Sequence, residues 1–71
     1  MQQIQRELGK RIRKLRTRKG WSQEEFAAIS GLHRTYVGAV ERGEKNLTIS
    51  TIHTLAKTLE TTIAALFQRI A

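Results

Sequence analysis

The most informative side chains of this sequence lie between Gln23 and Val40. In this stretch Ala27 is small enough for two helices to cross closely, and Gly31 can adopt the positive φ of a sharp turn. Val37 and Val40 would then lie on the buried side of the second helix. The spacing predicts a helix-turn-helix, a motif whose second helix can enter a DNA major groove. The positions expected to face outward are Arg34, Thr35, Gly38 and Ala39.

Arg34 has the chemistry to read a base from this outward face. Its guanidinium can make a bidentate pair with O6 and N7 of guanine, worth about 1–3 kcal/mol of discrimination. Gly38 and Ala39 are small, so the helix backbone could approach the groove closely. A solvated two-helix corner that binds no DNA is the alternative interpretation, and the outward arginine argues against it.

The charge of the chain also favours a polyanionic partner. Thirteen Lys and Arg residues against six acidic ones give a net charge of +7 over 71 residues, and eight of the basic residues fall between Arg6 and Lys19. Such an excess is typical of proteins that bind nucleic acid or an anionic membrane surface. The first helix lacks the aromatic or leucine-rich face of a membrane-surface peptide, and the longest apolar run, Ile63 to Phe67, is too short to span a bilayer. We therefore expect double-stranded DNA as the partner, no membrane association and a cytoplasmic location.

Groups for catalysis or metal binding are sparse. The chain has no cysteine, and His33 and His53 stand twenty residues apart, so no metal site is expected. Glu24 and Glu25 are adjacent on a helix, so their side chains diverge and cannot act as a carboxylate pair. No nucleophile–base arrangement, glycine-rich phosphate loop or cofactor motif is present. We expect no enzyme activity, no cofactor and no small-molecule ligand.

Helix 2 opens with the clearest local signal in the sequence. Ser22 and Glu25 have the spacing of a capping box, and Trp21 and Phe26 have that of a hydrophobic staple across it. The helix is predicted to end near Ser30, because a glycine follows.

Apolar periodicity and capping residues predict four further helices. Helix 1 is expected from about Ile4 to Arg18 and helix 3 from roughly Arg34 to Arg42. Thr48 can cap helix 4, and Thr62 can cap helix 5, which would run to about residue 70. The sequence therefore predicts a single all-α domain of five helices spanning all 71 residues.

Three segments of the chain resemble the lambda-repressor-like, Cro/repressor-type (XRE) helix-turn-helix family: Trp21–Ala27, Gly31–Val37 and Glu41–Gly43. The resemblance extends from about residue 8 to residue 67. Within the family, His33–Tyr36 and Asn46–Ile49 are most similar to controller proteins of restriction–modification systems. The resemblance implies a compact five-helix DNA-binding domain. It also implies a transcription regulator that binds an operator near its own promoter as a homodimer.

The resemblance, together with positions in and beside the motif, predicts roles for particular side chains. The expected base contacts are Arg34, Thr35, Tyr36 and Ala39. The expected phosphate contacts are Ser22, Gln23, His33, Arg42, Lys45, Asn46 and Arg18. Gln23 suits its role because a helix N-terminus attracts anions. Arg16 and Glu41 match a structural ion pair that joins helix 1 to the end of helix 3 in related repressors.

Two residues depart from the family pattern. Glu60 stands where the family usually has glycine after helix 4, which puts the end of that helix in question. Glu44 places a negative charge in a loop that is often basic, which would lower phosphate affinity slightly.

The end of the chain is expected to mediate dimerisation. Apolar residues recur along helix 5 at Ile63, Leu66, Phe67 and Ile70. A chain this short cannot cover the whole stripe, and the remainder would be exposed unless a partner covers it. A twofold pair would also set two recognition helices about one DNA turn, ~34 Å, apart. Phe67 is the expected anchor of this interface, with Leu66 as the alternative.

Other functions of the same fold remain open. A phage or plasmid repressor, or the antitoxin of a toxin–antitoxin pair, would share this pattern, and the flanking genes would separate them. RNA polymerase is a further candidate partner for any such regulator. An alternative of another class is a protein-interaction module that uses the C-terminal apolar face and does not read DNA.

Overall fold

The computed structural model describes residues 2–70, which form five helices and no strand: α1 (Gln2–Arg18), α2 (Gln23–Ser30), α3 (Arg34–Glu41), α4 (Ile49–Thr58) and α5 (Ile63–Leu66). The predicted five-helix, all-α fold is confirmed. The first helix begins two residues earlier than predicted, and the third ends one residue earlier. None of the described helices is both long enough and apolar enough to cross a membrane.

The start of α2 is fixed by the capping box that the sequence predicts. The Glu25 N–H donates to Ser22 Oγ at 3.0 Å, and the Ser22 N–H donates to Glu25 Oε1 at 2.8 Å. The rings of Trp21 and Phe26 stack across this cap with their centroids 6.1 Å apart. These contacts define where α2 begins, because they satisfy backbone donors that the helix itself leaves unpaired.

One apolar core joins all five helices. Its fully buried centre contains one side chain from each helix: Ile12, Phe26, Val37, Leu55 and Leu66. Burying a side chain of this size contributes about 1.5–3 kcal/mol. No helix can therefore detach without exposing a large apolar residue.

The closest approach between α1 and α3 occurs at Gly9. A Cβ atom at this position would lie 2.5 Å from the carbonyl oxygen of Val40 and 2.6 Å from that of Glu41. Both obstacles are backbone atoms, so neither can move aside as a side chain would. The absence of a side chain at residue 9 therefore sets the distance between α1 and the end of α3.

The last helix is shorter than predicted, because α5 ends at Leu66 rather than near residue 70. The guanidinium of Arg11 on α1 donates to the carbonyl oxygens of Ala65, at 2.9 Å, and Gln68, at 2.8 Å. Arg69 then adopts a positive φ of 64°. The chain turns here, and Arg11 on α1 supplies hydrogen-bond donors to carbonyl oxygens at and after the end of α5.

The turn after α4 contains Glu60, the residue that departs from the family pattern. It has a φ of 57°, a conformation that costs a non-glycine residue roughly 1–3 kcal/mol. The Thr61 N–H nevertheless donates to the Ala56 carbonyl at 2.9 Å, the bond that closes many helix ends. The Lys19 ammonium donates to the Glu60 carboxylate, and this hydrogen bond lowers the pKa of Glu60. The pair therefore adds stability above the ordinary carboxyl pKa, and that contribution is lost as the pH falls through the lowered value.

We predict that Gly9→Ala destabilises the fold by about 1–3 kcal/mol or more, because the added methyl group clashes with the α3 backbone. This loss outweighs the ~0.5–1 kcal/mol by which alanine is favoured over glycine inside a helix. Unfolding in urea measures the change. Lys10→Ala, an exposed neighbour on the same helix, is the control and should alter stability by less than ~0.5 kcal/mol. A Gly9→Ala protein as stable as the wild type would contradict the close helix crossing.

Candidate nucleic-acid interface

The corner between α2 and α3 has the geometry of a helix-turn-helix. Gly31 has a φ of 76°, and the Leu32 N–H donates to the Ala27 carbonyl at 2.9 Å. Three apolar side chains of the predicted motif are buried: Ala27, Val37 and Val40. The corner thus fixes how α3 crosses α2.

A buried ion pair joins α1 to the end of α3. Arg16 Nε donates to Glu41 Oε2 at 2.6 Å and Arg16 Nη2 donates to Glu41 Oε1 at 3.0 Å. Arg16 Nη1 also donates to the Trp21 carbonyl at 2.8 Å, and Gln23 Nε2 donates to Glu41 Oε1 at 3.0 Å. The two residues assigned to a structural pair are therefore in contact, and they also tie in the start of α2.

A cleft of about 550 Å³ opens beside the N-terminal ends of α2 and α3. Five of the predicted contact residues line it, and all five are exposed: Ser22, Gln23, Arg34, Thr35 and Arg42. Helix N-termini carry unpaired amide groups and a positive partial charge. The cleft is therefore suited to phosphate groups.

Glu24 is an acidic residue of this cleft whose role the sequence analysis missed. Its Oε2 lies 3.5 Å from Arg34 Nη1, and the two side chains are 73% and 70% exposed. Such an exposed pair contributes only about 0–1 kcal/mol to stability. Glu24 nevertheless competes with a phosphate group or a nucleic-acid base for the Arg34 guanidinium. The two residues lie on different helices, so only the folded corner brings them together.

A second depression, of about 480 Å³, adjoins the cleft at Thr35 and Arg42. In it, Lys45 Nζ lies 5.9 Å from the centre of the Tyr36 ring, within the range of a cation–π contact. His33 caps α3, because its Nδ1 accepts from the Thr35 N–H at 3.3 Å. These residues extend the basic and aromatic surface from the start of α3 to the loop that follows it.

Gly38 and Ala39 are not exposed as predicted. Gly38 is covered by Arg42 and Gln23, whose side-chain atoms lie 3.2 Å and 3.5 Å from where a Cβ would stand. Ala39 is only 7% exposed, and the Glu44 N–H donates to its carbonyl at 2.9 Å where the loop after α3 folds back. Ala39 nevertheless lines the depression that contains Tyr36 and Lys45, so its contact with a base stays a prediction. The exposed part of α3 is its first turn.

The acidic loop residue Glu44 pairs with Arg42 rather than with Lys45. Arg42 Nε donates to Glu44 Oε2 at 3.0 Å, and Arg42 Nη2 donates to Glu44 Oε1 at 3.2 Å. These hydrogen bonds raise the pKa of Arg42 and lower the pKa of Glu44. Within residues 2–70, no group of three histidine or acidic side chains is placed to hold a metal ion.

Two of the predicted phosphate contacts line neither the cleft nor the adjoining depression. Arg18 lines a separate cleft against the chain around α5, and Asn46 lines an apolar groove near Phe67. Successive helical residues are about 100° apart, so Arg18 lies roughly 200° around α1 from Arg16, which faces α3. The structure therefore does not bring Arg18 to the helix-turn-helix.

The predicted dimer residues do not share one exposed face. Leu66 is fully buried in the core, so its assignment to an interface is wrong. Ile63, Phe67 and Ile70 are partly buried. Ile49 at the start of α4, which apolar periodicity would place on the packed face of that helix, is instead 73% exposed.

Comparison with known proteins identifies relatives over most of the chain. The helix-turn-helix family HTH_3 matches residues 12–66. Control protein C.SmaI of Serratia marcescens is 50% identical over 62 residues, which cover 87% of this chain and 74% of that protein. The restriction-modification controller protein C.AhdI from Aeromonas hydrophila, known from a crystal structure, has 48% sequence identity to this chain. The two structures match with a TM-score of 0.83 over 87% of this chain and 94% of that chain. The controller protein C.Esp1396I is 35% identical, with a TM-score of 0.81 over 92% and 83% of the two chains.

We predict that Glu24→Gln strengthens DNA binding by up to about fivefold, since it frees the Arg34 guanidinium from an exposed ion pair. Fluorescence anisotropy with one labelled duplex at fixed salt measures the change. Glu7→Gln is the control, because it also removes one carboxylate from an exposed pair, with Lys10, elsewhere on the surface. If both variants gain equally, net charge explains the effect and Glu24 has no specific influence on Arg34.

Proposed function

Because this chain belongs to the helix-turn-helix family HTH_3, we propose that it is a sequence-specific DNA-binding transcription regulator that controls a restriction–modification system. Its operator would lie near its own promoter and near the endonuclease gene. The observation that carries the proposal is the exposed first turn of α3. There Arg34 and Thr35 stand beside the N-terminus of α2, above the buried pair of Arg16 and Glu41.

In the proposed complex the first turn of α3 enters the major groove. Arg34 pairs with a guanine, while Thr35 and Tyr36 supply the neighbouring base or near-base contacts. The exposure of Arg34 supports this role, since only the weak pair with Glu24 must break. Base readout by three side chains at one helix end is typical of helix-turn-helix proteins.

Phosphate contacts from both sides would set the register of α3 on the duplex. On one side, Ser22 and Gln23 lie at the N-terminus of α2. On the other, Arg42 and Lys45 flank the exposed turn, while Asn46 lies farther along the same loop. The net charge of +7 supports strong attraction to the backbone as a whole.

The names of several relatives favour the controller role over the alternatives. Three of the curated relatives are control proteins, and another is named an HTH-type transcriptional regulator. A phage or plasmid repressor or an antitoxin would use the same surface, and a restriction endonuclease gene beside the coding sequence would favour the controller. Nothing in the comparisons supports the non-DNA interaction module. As a promoter-bound regulator the protein would act in the cytoplasm, with RNA polymerase as a candidate partner.

We predict that Arg34→Ala relaxes base preference, at a cost of about 1–3 kcal/mol for the preferred operator, whereas Lys45→Ala weakens binding to all sequences about equally. Selection from a random duplex pool, followed by affinity measurement at several salt concentrations, distinguishes the two effects. For a dimer that neutralises ~6–10 phosphates, affinity should fall ~10³–10⁵-fold between 50 and 200 mM salt. An unchanged preference in Arg34→Ala removes that residue from base readout. Equal wild-type affinity for selected and random duplexes contradicts the proposed function.

We also propose that the regulator is a homodimer and that its interface is an apolar surface next to the DNA-reading face. A groove of about 110 Å³ contains apolar side chains of Ile4, Leu47 and Phe67 together with Lys45 and Asn46. Because the same loop carries predicted phosphate contacts, a second copy seated here would lie close to the DNA. A twofold arrangement could then place two α3 helices on successive turns of one duplex. Phe67 remains the proposed anchor, and the exposed Ile49, two residues beyond Leu47, replaces Leu66.

We predict that Ile49→Glu yields folded monomers with a dimer dissociation constant raised at least ~100-fold, since two like charges facing each other across a twofold axis cost several kcal/mol. Sedimentation equilibrium measures the constant, and thermal unfolding verifies the fold. Ile29→Glu is the matched control, because it makes the same change at another exposed isoleucine, 55% accessible on α2. Loss of dimers in both variants, or in neither, would argue against this interface.

A further inference from the structure

A second basic cleft lies on the side of α1 away from α3. It has a volume of about 420 Å³ and is bounded by α1, the turn after α4 and the chain around α5. Eight residues line it: Arg11, Lys14, Leu15, Arg18, Thr61, Ala65, Gln68 and Arg69. Four of these are cationic and none is acidic.

The positive charge of this cleft is not neutralised by the part of the chain that the structure describes. Lys14, Arg18 and Arg69 form no ion pair within residues 2–70. The carboxylates nearest in sequence to the lining residues, Glu7 and Glu60, are each paired with a different lysine. Like charges gathered in a concave site raise the local potential and attract anions.

One of the four cations is already fixed in place. Arg11 is half-buried, and its guanidinium is held by the carbonyl oxygens of Ala65 and Gln68 at 2.9 Å and 2.8 Å. A cation held in this way loses little further conformational freedom when an anion binds. The cleft therefore has a preformed positive wall and not only mobile surface lysines and arginines.

The spacing of the cations indicates the size of the anion. Arg11, Lys14 and Arg18 follow one another at three and four residues along one face of α1, which spreads them over about 10 Å. That span exceeds one phosphate group. The Thr61 hydroxyl and the Gln68 amide add donors from the later part of the chain.

We propose that this cleft is an anion site for a ligand that carries two or more adjacent phosphate groups. It has no lining residue in common with the cleft between α2 and α3. The cleft also lies on the side of α1 away from Arg16 and α3, so a half-site bound to α3 is not expected to supply these phosphates. They come either from a soluble polyphosphate or from a second segment of DNA.

Inorganic tripolyphosphate is the probe that tests the site, by titration calorimetry on the full chain with ionic strength held constant by NaCl. Saturable binding and a rise in the unfolding temperature are expected. The double variant Lys14→Gln/Arg18→Gln should weaken tripolyphosphate binding at least about tenfold. Lys10→Gln/Arg13→Gln makes the same change in charge on the same helix outside the cleft and should bind as the wild type does. Equal weakening in both variants, or no saturable binding, overturns the proposal.

A second experiment distinguishes the two sources of phosphate. Wild-type protein saturated with one labelled duplex is offered a second, differently labelled random duplex, and bridging is read as energy transfer between them. Bridging that is lost in Lys14→Gln/Arg18→Gln and competed by tripolyphosphate assigns the site to a second DNA segment. Tripolyphosphate binding without bridging assigns it to a soluble ligand. The calorimetric result does not depend on operator recognition, so the site and the proposed function can fail separately.

Discussion

Arg16 carries a charge that is only 7% exposed, and the way this charge is satisfied determines where the recognition helix α3 lies. Removing an ion from water costs several kcal/mol, which is offset only when its hydrogen-bonding groups find partners. Here the guanidinium bonds to Glu41 at the end of α3 and to the carbonyl of Trp21 before α2. Among the described residues no buried side-chain polar atom lacks a partner. Together with the close crossing at Gly9, the pair fixes α3 against α1 at two points seven residues apart.

This arrangement links the buried network directly to the surface proposed to meet DNA. Gln23 donates to Glu41 from one side and lines the cleft at the N-terminus of α2 on the other. A phosphate bound there would therefore contact a residue that also holds α3. The first turn of α3 stays exposed, and the acidic residues around it, Glu24 and Glu44, each pair with an arginine of the interface.

Features encoded by local chemistry could be predicted from the sequence. The capping box of Ser22 and Glu25 and the turn at Gly31 follow from neighbouring residues, and both appear as expected. The pairing of Arg16 with Glu41 followed from the family resemblance, because residues 25 positions apart leave no local signal. The five-helix fold was predictable because caps, turns and apolar periodicity mark the helices locally, and the family resemblance implies the same fold.

The errors arose where packing between elements, rather than local sequence, decides where a side chain lies. Helical periodicity gave Gly38 an outward face, but it could not show that the side chains of Arg42 and Gln23 cover it. Helix 5 was expected to reach residue 70, and nothing local showed that Arg11, more than fifty residues earlier, donates to the carbonyl oxygens of Ala65 and Gln68. Periodicity placed Leu66 on the apolar stripe, but it could not show which part of that stripe packs in the core. Arg18 is close to the motif in sequence, yet it lies on the face of α1 away from Arg16 and lines another cleft.

The most direct test of the account is a double-mutant cycle on Arg16→Met and Glu41→Leu, measured both for unfolding and for binding to a selected operator. Each single variant should lose about 3–5 kcal/mol of stability, because one buried group is left without its partner. The double variant should recover part of that loss and fold, yet bind the operator more weakly than the wild type, because α3 is no longer held by the pair. Additive losses of stability, or a folded double variant with wild-type operator affinity, would contradict the claim that this buried pair positions the recognition helix.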